Sequence, residues 1–179
     1  MHPILRKLEG GDRRSIGRSN ETVAEVLDDP GLFGAVFAGM LADDPLVRMR
    51  CADAVEKITA RHPEYLHPHK TRLIREVARI SQKEVRWHVA QMFSRLELTR
   101  AERRQVLAVL SDYLNDRSSI VRTFAMQSLA DMAEHDRTLL PQILPHLKEL
   151  TLTGTPAMRS RGKKLLAKLG AMPVTRPAR

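Results

Sequence analysis

The sequence has few aromatic residues, a single cysteine and no long apolar run. Aromatic residues make up 4% of the 179 positions, so the core must consist mainly of aliphatic side chains, alanine and methionine. The lone Cys51 cannot form an internal disulfide, so the fold needs no oxidising compartment. The longest apolar run, residues 31–42, is shorter than the roughly 20 residues that span a bilayer. The N-terminus also lacks the apolar stretch of a signal peptide. These absences predict a soluble, cytoplasmic protein.

The sequence also lacks the motifs of common enzyme and cofactor sites. It contains no glycine-rich phosphate loop and no Ser/His/Asp grouping. Cys51 lies on an apolar stripe, where a thiol behaves as a small hydrophobic group. The pairs Asp28-Asp29 and Asp43-Asp44 each precede a proline at a helix start, so helix capping accounts for them without acid–base catalysis. We therefore predict a protein without enzymatic activity and without a cofactor.

Three histidines, His62, His67 and His69, lie close together in the segment RHPEYLHPH. Imidazoles in a loop can bind a transition metal. However, no cysteine or carboxylate pattern of a zinc site accompanies them, and two prolines in the segment favour a turn between helices. The sequence therefore favours a solvated inter-helix loop, and we predict no metal site.

The feature that the sequence does contain is an internal repeat. Residues 44–58, DPLVRMRCADAVEKI, combine a Val-Arg pair with small residues and two further apolar steps, and this pattern returns at 85–96, at 121–132 and more weakly at 158–169. The repeated arginines are separated by 38, 36 and 37 residues: Arg48, Arg86, Arg122 and Arg159. A period in this range is typical of stacked helix pairs. Between the repeats, apolar residues at i, i+1, i+4 and i+7 predict a second helix in each pair, and no stretch predicts a strand.

Three segments, DDPLVRMRCADAVEKI at 43–58, KEVRWHVAQMFSRL at 83–96 and SIVRTFAMQSLADM at 119–132, resemble the HEAT repeat family. The resemblance covers roughly residues 20–170 and implies an all-α fold, a right-handed α–α superhelix (solenoid) of about four to five HEAT-like helix pairs. In that family the first helix of each pair lines the convex side and the second lines the concave side, and the repeated arginines would join neighbouring repeats. We predict a flexible basic arm at 1–18, the repeat domain at 19–170 and a disordered tail at 171–179.

The formal net charge of +9 is concentrated at the two ends of the chain. Residues 156–179 contain seven basic residues and no acidic residue, residues 1–20 contain five basic and two acidic residues, and the remainder contains 18 basic and 19 acidic residues. The C-terminal cluster comprises Arg159, Arg161, Lys163, Lys164 and Lys168. It either binds nucleic acid, an acidic protein or anionic lipid, or it forms the polar cap that ends a repeat stack.

A second basic group follows one face of a predicted second helix. It comprises Lys70, Arg72, Arg75 and Arg79, and Arg103 and Arg104 enlarge it. The equivalent positions of the next repeat carry Gln105, Ala108 and Asp112, so the stripe does not continue as a nucleic-acid groove would. Trp87, the only tryptophan, is either an anchor for a partner or a residue that packs on the adjacent repeat.

These patterns lead to two hypotheses about function. The first is a HEAT-repeat interaction module or scaffold that binds an acidic protein partner through its concave surface. The alternative is a nucleic-acid-binding protein that uses the basic ends and the arginine-rich concave patch. Within the family, HEAT-like DNA glycosylases combine such a patch with aromatic residues and an Asp, and the near absence of aromatic residues argues against that activity here. A HEAT-like bilin lyase is a further possibility within the family, but nothing beyond the shared repeat indicates it. The apolar helix at 32–41 is either covered within one chain or forms a dimer surface.

Overall fold

The computed structural model describes residues 2–12 and 14–171, and all regular secondary structure in these ranges is helical. The α-helices are α1 (Pro3–Arg6), α2 (Ser19–Asp28), α3 (Phe33–Gly39), α4 (Pro45–Thr59), α5 (Lys70–Arg75), α6 (Lys83–Phe93), α7 (Arg100–Leu114), α8 (Ser119–His135), α9 (Leu140–Thr153) and α10 (Pro156–Ala171). Short 3-10 helices occupy Pro30–Leu32, Pro63–His69, Val77–Arg79 and Arg137–Leu139. The prediction of an all-α fold is confirmed.

Local capping signals set several of the helix starts. The Asp44 side chain accepts a hydrogen bond from the amide of Leu46 at 2.7 Å, and Pro45 follows in the first turn, where its missing N–H costs nothing. At the start of α7, Thr99 and Glu102 form a reciprocal capping box. The helices therefore begin where short-range hydrogen bonding favours them.

Alternate helices pack one against the next along the chain. Helix α2 packs on α4, α4 on α6, α6 on α8, and α8 on α10. The intervening helices lie beside them, with α3 on α4, α7 on α8 and α9 on α10. One hydrophobic cluster runs through all of these contacts, and its large members are mainly aliphatic residues and methionines such as Met40, Met92 and Met126. The scarcity of aromatic residues is therefore reflected in the core.

The apolar helix α3 is covered within the chain. Phe33, Val36 and Phe37 are buried. At Gly39, α3 approaches α1 and α4 so closely that an added Cβ would lie 2.8 Å from Leu5 Cδ2 and nearer still to the sulfur of Cys51. Because these neighbours already cover the helix, it needs no second copy of the chain to bury its apolar face.

The segment before α2 packs against α4 through a buried arginine. Arg50 is 2% exposed and donates from Nη1 to the carbonyl oxygens of Leu8 and Gly10, both at 2.6 Å. It also donates to the carbonyls of Asp12 at 3.2 Å and Ser15 at 3.3 Å. No local sequence pattern indicates these contacts, which join the segment to α4. The tail predicted to be disordered lies outside the described residues, except for Ala171 at the end of α10.

Among residues 2–12 and 14–171, no helix combines the length and the apolar character that crossing a bilayer demands.

Candidate functional site

Three of the four repeated arginines donate a hydrogen bond to a backbone carbonyl at or just after the end of the preceding helical segment. Arg48 Nη1 donates to the carbonyl of Ala42 at 2.9 Å, and Arg86 Nε donates to that of Ile80 at 3.0 Å. Arg159 Nη1 does the same to Gly154 at 3.3 Å. The fourth, Arg122, has a buried Nε that has no hydrogen-bond partner among the described residues. Three of the repeated arginines therefore tie their helix to the segment before it.

The basic group predicted around α5 divides into paired and unpaired side chains. Lys70 Nζ lies 2.9 Å from the Glu97 carbonyl oxygen and 3.0 Å from Glu102 Oε2. Arg103 forms an ion pair with Asp136. Arg72 Nε lies 3.2 Å from Glu76 Oε2, in an exposed pair that contributes little stability. These paired cations offer less charge to a partner than the sequence predicts.

The remaining members of the group are exposed and unpaired. Arg75, Arg79 and Arg104 have neither an ion pair nor a side-chain hydrogen bond within the described part of the chain. Arg75 and Arg79 line a groove of about 440 Å³ between α5, with the turn that follows it, and α7. The other lining residues are Ile74, Ala78, Arg86, Gln105, Ala108, Val109 and Asp112. We call this the α5–α7 groove.

The charges around the α5–α7 groove are unequal. On the α5 side Arg75 and Arg79 are free, whereas Arg86 is compensated by Asp116 at 2.8 Å and by Asp112 at 3.7 Å. Ile74, Ala78 and Val109 form a largely buried apolar floor. Free guanidinium groups above an apolar floor suit a ligand with carboxylates and small apolar groups, because guanidinium binds carboxylate in a two-pronged geometry.

The structure does not bring Trp87 to this groove. The ring is partly buried against the hydrophobic core and lies edge-on to His88, with ring centroids 5.6 Å apart. Trp87 is not among the residues that line the groove. Of the two interpretations of Trp87, the observed contacts favour packing within the chain.

The C-terminal cluster lies on a separate surface. All five of its predicted members, Arg159, Arg161, Lys163, Lys164 and Lys168, are exposed on α10. Lys168 forms an ion pair with Glu134 at 2.6 Å, and the hydrogen bond that the ammonium donates to this carboxylate raises the pKa of the lysine. The two basic groups therefore form two surfaces, one on α5 and α7 and the other on α10.

The histidine segment forms a 3-10 helix whose rings pack on aromatic neighbours. His69 stacks on Phe37 with centroids 4.4 Å apart, and burial lowers the pKa of the His69 imidazole. His62 stacks on Tyr65 and lies 3.0 Å from Glu64. The expectation of a simple solvated loop is therefore wrong for His69, which is partly buried. No group of three potential metal ligands occurs among the residues that the structure describes.

A polar network that the sequence analysis missed joins α2, α4 and α6. Ser19 Oγ donates to Asp53 Oδ2 at 2.6 Å, Lys57 Nζ lies 2.7 Å from the same oxygen, and His88 Nε2 lies 3.9 Å from Oδ1. The buried Ser19 hydroxyl bonds to the carboxylate and not to the imidazole, so this network does not activate a nucleophile. Cys51 is no better placed, because burial raises the pKa of its thiol to about 12.

Comparison of the chain with known protein families, with curated proteins and with solved structures finds no match in any of the three. The geometry of the α5–α7 groove and of the basic face of α10 is therefore the basis on which function is inferred.

Proposed function

We propose that the chain is a HEAT-like solenoid that binds an acidic segment of a partner protein and catalyses no reaction itself. The successive packing of α2 on α4, α4 on α6, α6 on α8 and α8 on α10 supports a stack of helix pairs. The recurring bonds from Arg48, Arg86 and Arg159 to preceding carbonyls support repeated units. In such a stack the second helix of each pair, here α5 and α7, would line the concave surface that meets the partner.

The observation that carries this proposal is the pair of free arginines above the apolar floor of the α5–α7 groove. Arg75 and Arg79 are exposed and have no partner in the described ranges. A hydrogen bond to a charged group contributes about 1.5–3 kcal/mol when it is formed away from bulk water. A partner segment with two carboxylates and a small apolar side chain would satisfy both guanidinium groups and cover the floor.

The limited extent of the basic surface favours a protein segment over a nucleic acid at this groove. Opposite the arginines, α7 carries the exposed residues Ala108 and Asp112, and α9 carries Pro145 and Glu149 on its exposed side. Nucleic-acid binding depends on many phosphate contacts along a continuous basic surface. A short acidic segment requires only the few cations that are present.

The test uses two synthetic labelled peptides, one that combines glutamates with leucines and one in which serines replace the leucines. We expect the double variant Arg75→Glu/Arg79→Glu to weaken binding of the glutamate–leucine peptide by about tenfold or more, because each lost contact of about 1.4 kcal/mol changes affinity tenfold. The variant Ala108→Gln, which fills the groove without changing the charge, should weaken it as well. The serine peptide should bind more weakly than the leucine peptide.

The matched control is Lys83→Glu/Arg117→Glu, which has the same charge change at exposed residues outside the groove. We expect this variant to bind the peptide within about twofold of the unmodified chain, because screened charges at a distance contribute little. An equal loss in both double variants, or no effect of Ala108→Gln, would show that the peptide responds to net charge alone and would overturn the proposal.

A further inference from the structure

Helix α10 presents an acid-free basic surface to solvent. It spans Pro156–Ala171, and none of its residues is acidic. Met158, Leu165 and Leu169 are buried, so the opposite sides of the helix are exposed. Those sides carry Arg159, Arg161, Lys163, Lys164 and Lys168. At 1.5 Å per residue these cations extend over roughly 14 Å of the helix.

Part of this surface borders a groove of about 590 Å³ between α8 and α10. The polar lining residues are Gln127, Ser160, Arg161, Lys164 and Lys168. At Gly162 the helix lies so close to its neighbours that an added Cβ would overlap the Thr151 hydroxyl and approach Met126 Cε to 3.1 Å. This close packing fixes the position of the α10 backbone beneath its exposed cations.

A chain of hydrogen bonds orients one of these cations. Arg161 Nη1 donates to Gln127 Oε1 at 2.6 Å, and Gln127 Nε2 donates to Asp131 Oδ1 at 2.8 Å. The side-chain amide of Gln127 therefore has a hydrogen-bond partner on each side, and it fixes the position of the Arg161 guanidinium. The other N–H groups of Arg161 are left for a ligand. The two acids near this groove are already engaged, Asp131 with Gln127 and Glu134 with Lys168.

We propose that this face of α10 binds the phosphate backbone of a nucleic-acid duplex, independently of the α5–α7 groove. Arg159 donates to the Gly154 carbonyl and Lys168 is paired with Glu134. The remaining exposed cations of α10, Arg161, Lys163 and Lys164, still exceed what a single phosphate group requires, and they suit a ligand with several negative charges. Such contacts are independent of base sequence. No aromatic residue lines the groove, so the stacking that single-stranded ligands use has no platform there.

Other anionic ligands fit this face less well. An anionic membrane surface is usually bound by a helix that also inserts apolar side chains, and the exposed large hydrophobic residues of the described chain, Ile16, Ile120 and Leu152, all lie outside α10. An acidic protein segment would gain from an apolar floor like that of the α5–α7 groove. The α8–α10 groove offers mainly polar and charged side chains instead.

The test is fluorescence anisotropy of the full chain with labelled duplex DNA and duplex RNA at several salt concentrations. The test variant is Lys163→Glu/Lys164→Glu, and neither lysine has a partner among the described residues. The control is Lys83→Glu/Arg117→Glu, which has the same charge change at exposed residues outside both grooves. We expect the α10 variant to bind at least about tenfold more weakly and its salt slope to fall by about two, one for each lost phosphate contact. The control should retain its salt slope.

Three results would overturn this proposal. The first is no binding of either duplex at low salt. The second is an equal loss of affinity in both double variants, which would indicate attraction to net charge alone. Vesicles of anionic lipid and the glutamate–leucine peptide are tested as further ligands. The third result is that the α10 variant loses binding of one of these ligands but keeps duplex binding, which would assign the face to a different class of partner. Circular dichroism melting curves show whether each variant retains the fold.

Discussion

Arg86 of α6 and Asp116 of the turn before α8 form an ion pair with an Nη1–Oδ2 distance of 2.8 Å. Both side chains are largely buried, with exposed fractions of 19% and 11%. The same guanidinium lies 5.1 Å from the centre of the Tyr113 ring and donates to the Ile80 carbonyl. One arginine therefore links the end of one helical segment to the turn that starts another.

We predict that Asp116→Asn lowers the free energy of unfolding by about 2 kcal/mol, because it leaves a largely buried guanidinium without its counter-ion. Asp112 lies 3.7 Å from the same guanidinium but is 68% exposed, so Asp112→Asn should cost less than about 0.5 kcal/mol. Urea denaturation of the two variants measures both values. Equal effects would show that the pair at Asp116 has no special role.

Two glycines of α10 should respond in opposite ways to the same substitution. An added Cβ at Gly162 overlaps Thr151, whereas one at Gly170 meets nothing within 4 Å. We predict that Gly162→Ala destabilises the fold by about 1–3 kcal/mol through overpacking. Gly170→Ala should be neutral or stabilising by up to about 1 kcal/mol, because alanine favours helix. Thermal melting compares them, and a stable Gly162→Ala variant would contradict the packing at this crossing.

The buried His88 should make the fold less stable in mild acid. Burial lowers the pKa of His88 below 6.5 despite the nearby carboxylates of Asp53 and Glu56, while Lys57 and Arg95 lower it further. The unfolded chain therefore binds a proton at a higher pH than the folded chain does. Stability should fall as the pH drops below about 6.5 and level off below the folded pKa.

The measurement is the urea midpoint at pH 7.5 and at pH 5.5 for the unmodified chain and for His88→Gln. We expect the variant to show a smaller loss of stability between the two pH values, because glutamine does not titrate. The pKa of His69 is also lowered, by burial and by Arg72, so this histidine contributes in the same direction. His69→Gln is therefore the matched comparison. An unchanged pH dependence in His88→Gln would contradict the assignment.

Arg50 should determine whether the N-terminal segment stays attached. Its guanidinium donates to four backbone carbonyls, those of Leu8, Gly10, Asp12 and Ser15. We predict that Arg50→Lys loses most of these bonds, because an ammonium group cannot reproduce the fork geometry. Limited proteolysis should then cleave within residues 9–18 several times faster than in the unmodified chain. Unchanged cleavage would show that the apolar contacts of Ile4 and Leu5 suffice.

Helix positions were largely predictable from the sequence because their signals are local. The cap at Asp44 formed as predicted, and the sequence pattern of Thr99 and Glu102 forms a capping box. Ser81 and Glu84 have the same spacing, yet they form no capping box, since α6 begins at Lys83 with Gln82 at the cap position. Here tertiary contacts decide the outcome: the Gln82 side chain at the cap position bonds to the carbonyl of Pro45 and to Arg48, both in α4.

The candidate site was predictable only in part because its charges are decided by distant partners. Lys70, Arg75 and Arg79 look equivalent in the sequence, yet Lys70 is paired with Glu102, 32 positions further along the chain, and the two arginines are free. The Ser19–Asp53 bond joins residues 34 positions apart, and no local pattern marks it. Periodicity predicts which residues share a helix face, whereas pairing depends on how the helices pack.

The most direct test of the central claim is to locate where the acidic peptide binds. Amide chemical shifts of the isotope-labelled chain, which at 20.3 kDa is accessible to solution NMR, would be recorded during titration with the glutamate–leucine peptide. The account predicts that the largest shifts fall within residues 74–79 and 105–112, around Arg75, Arg79 and Ala108. Shifts centred on α10, or spread evenly over all exposed cations, would contradict it.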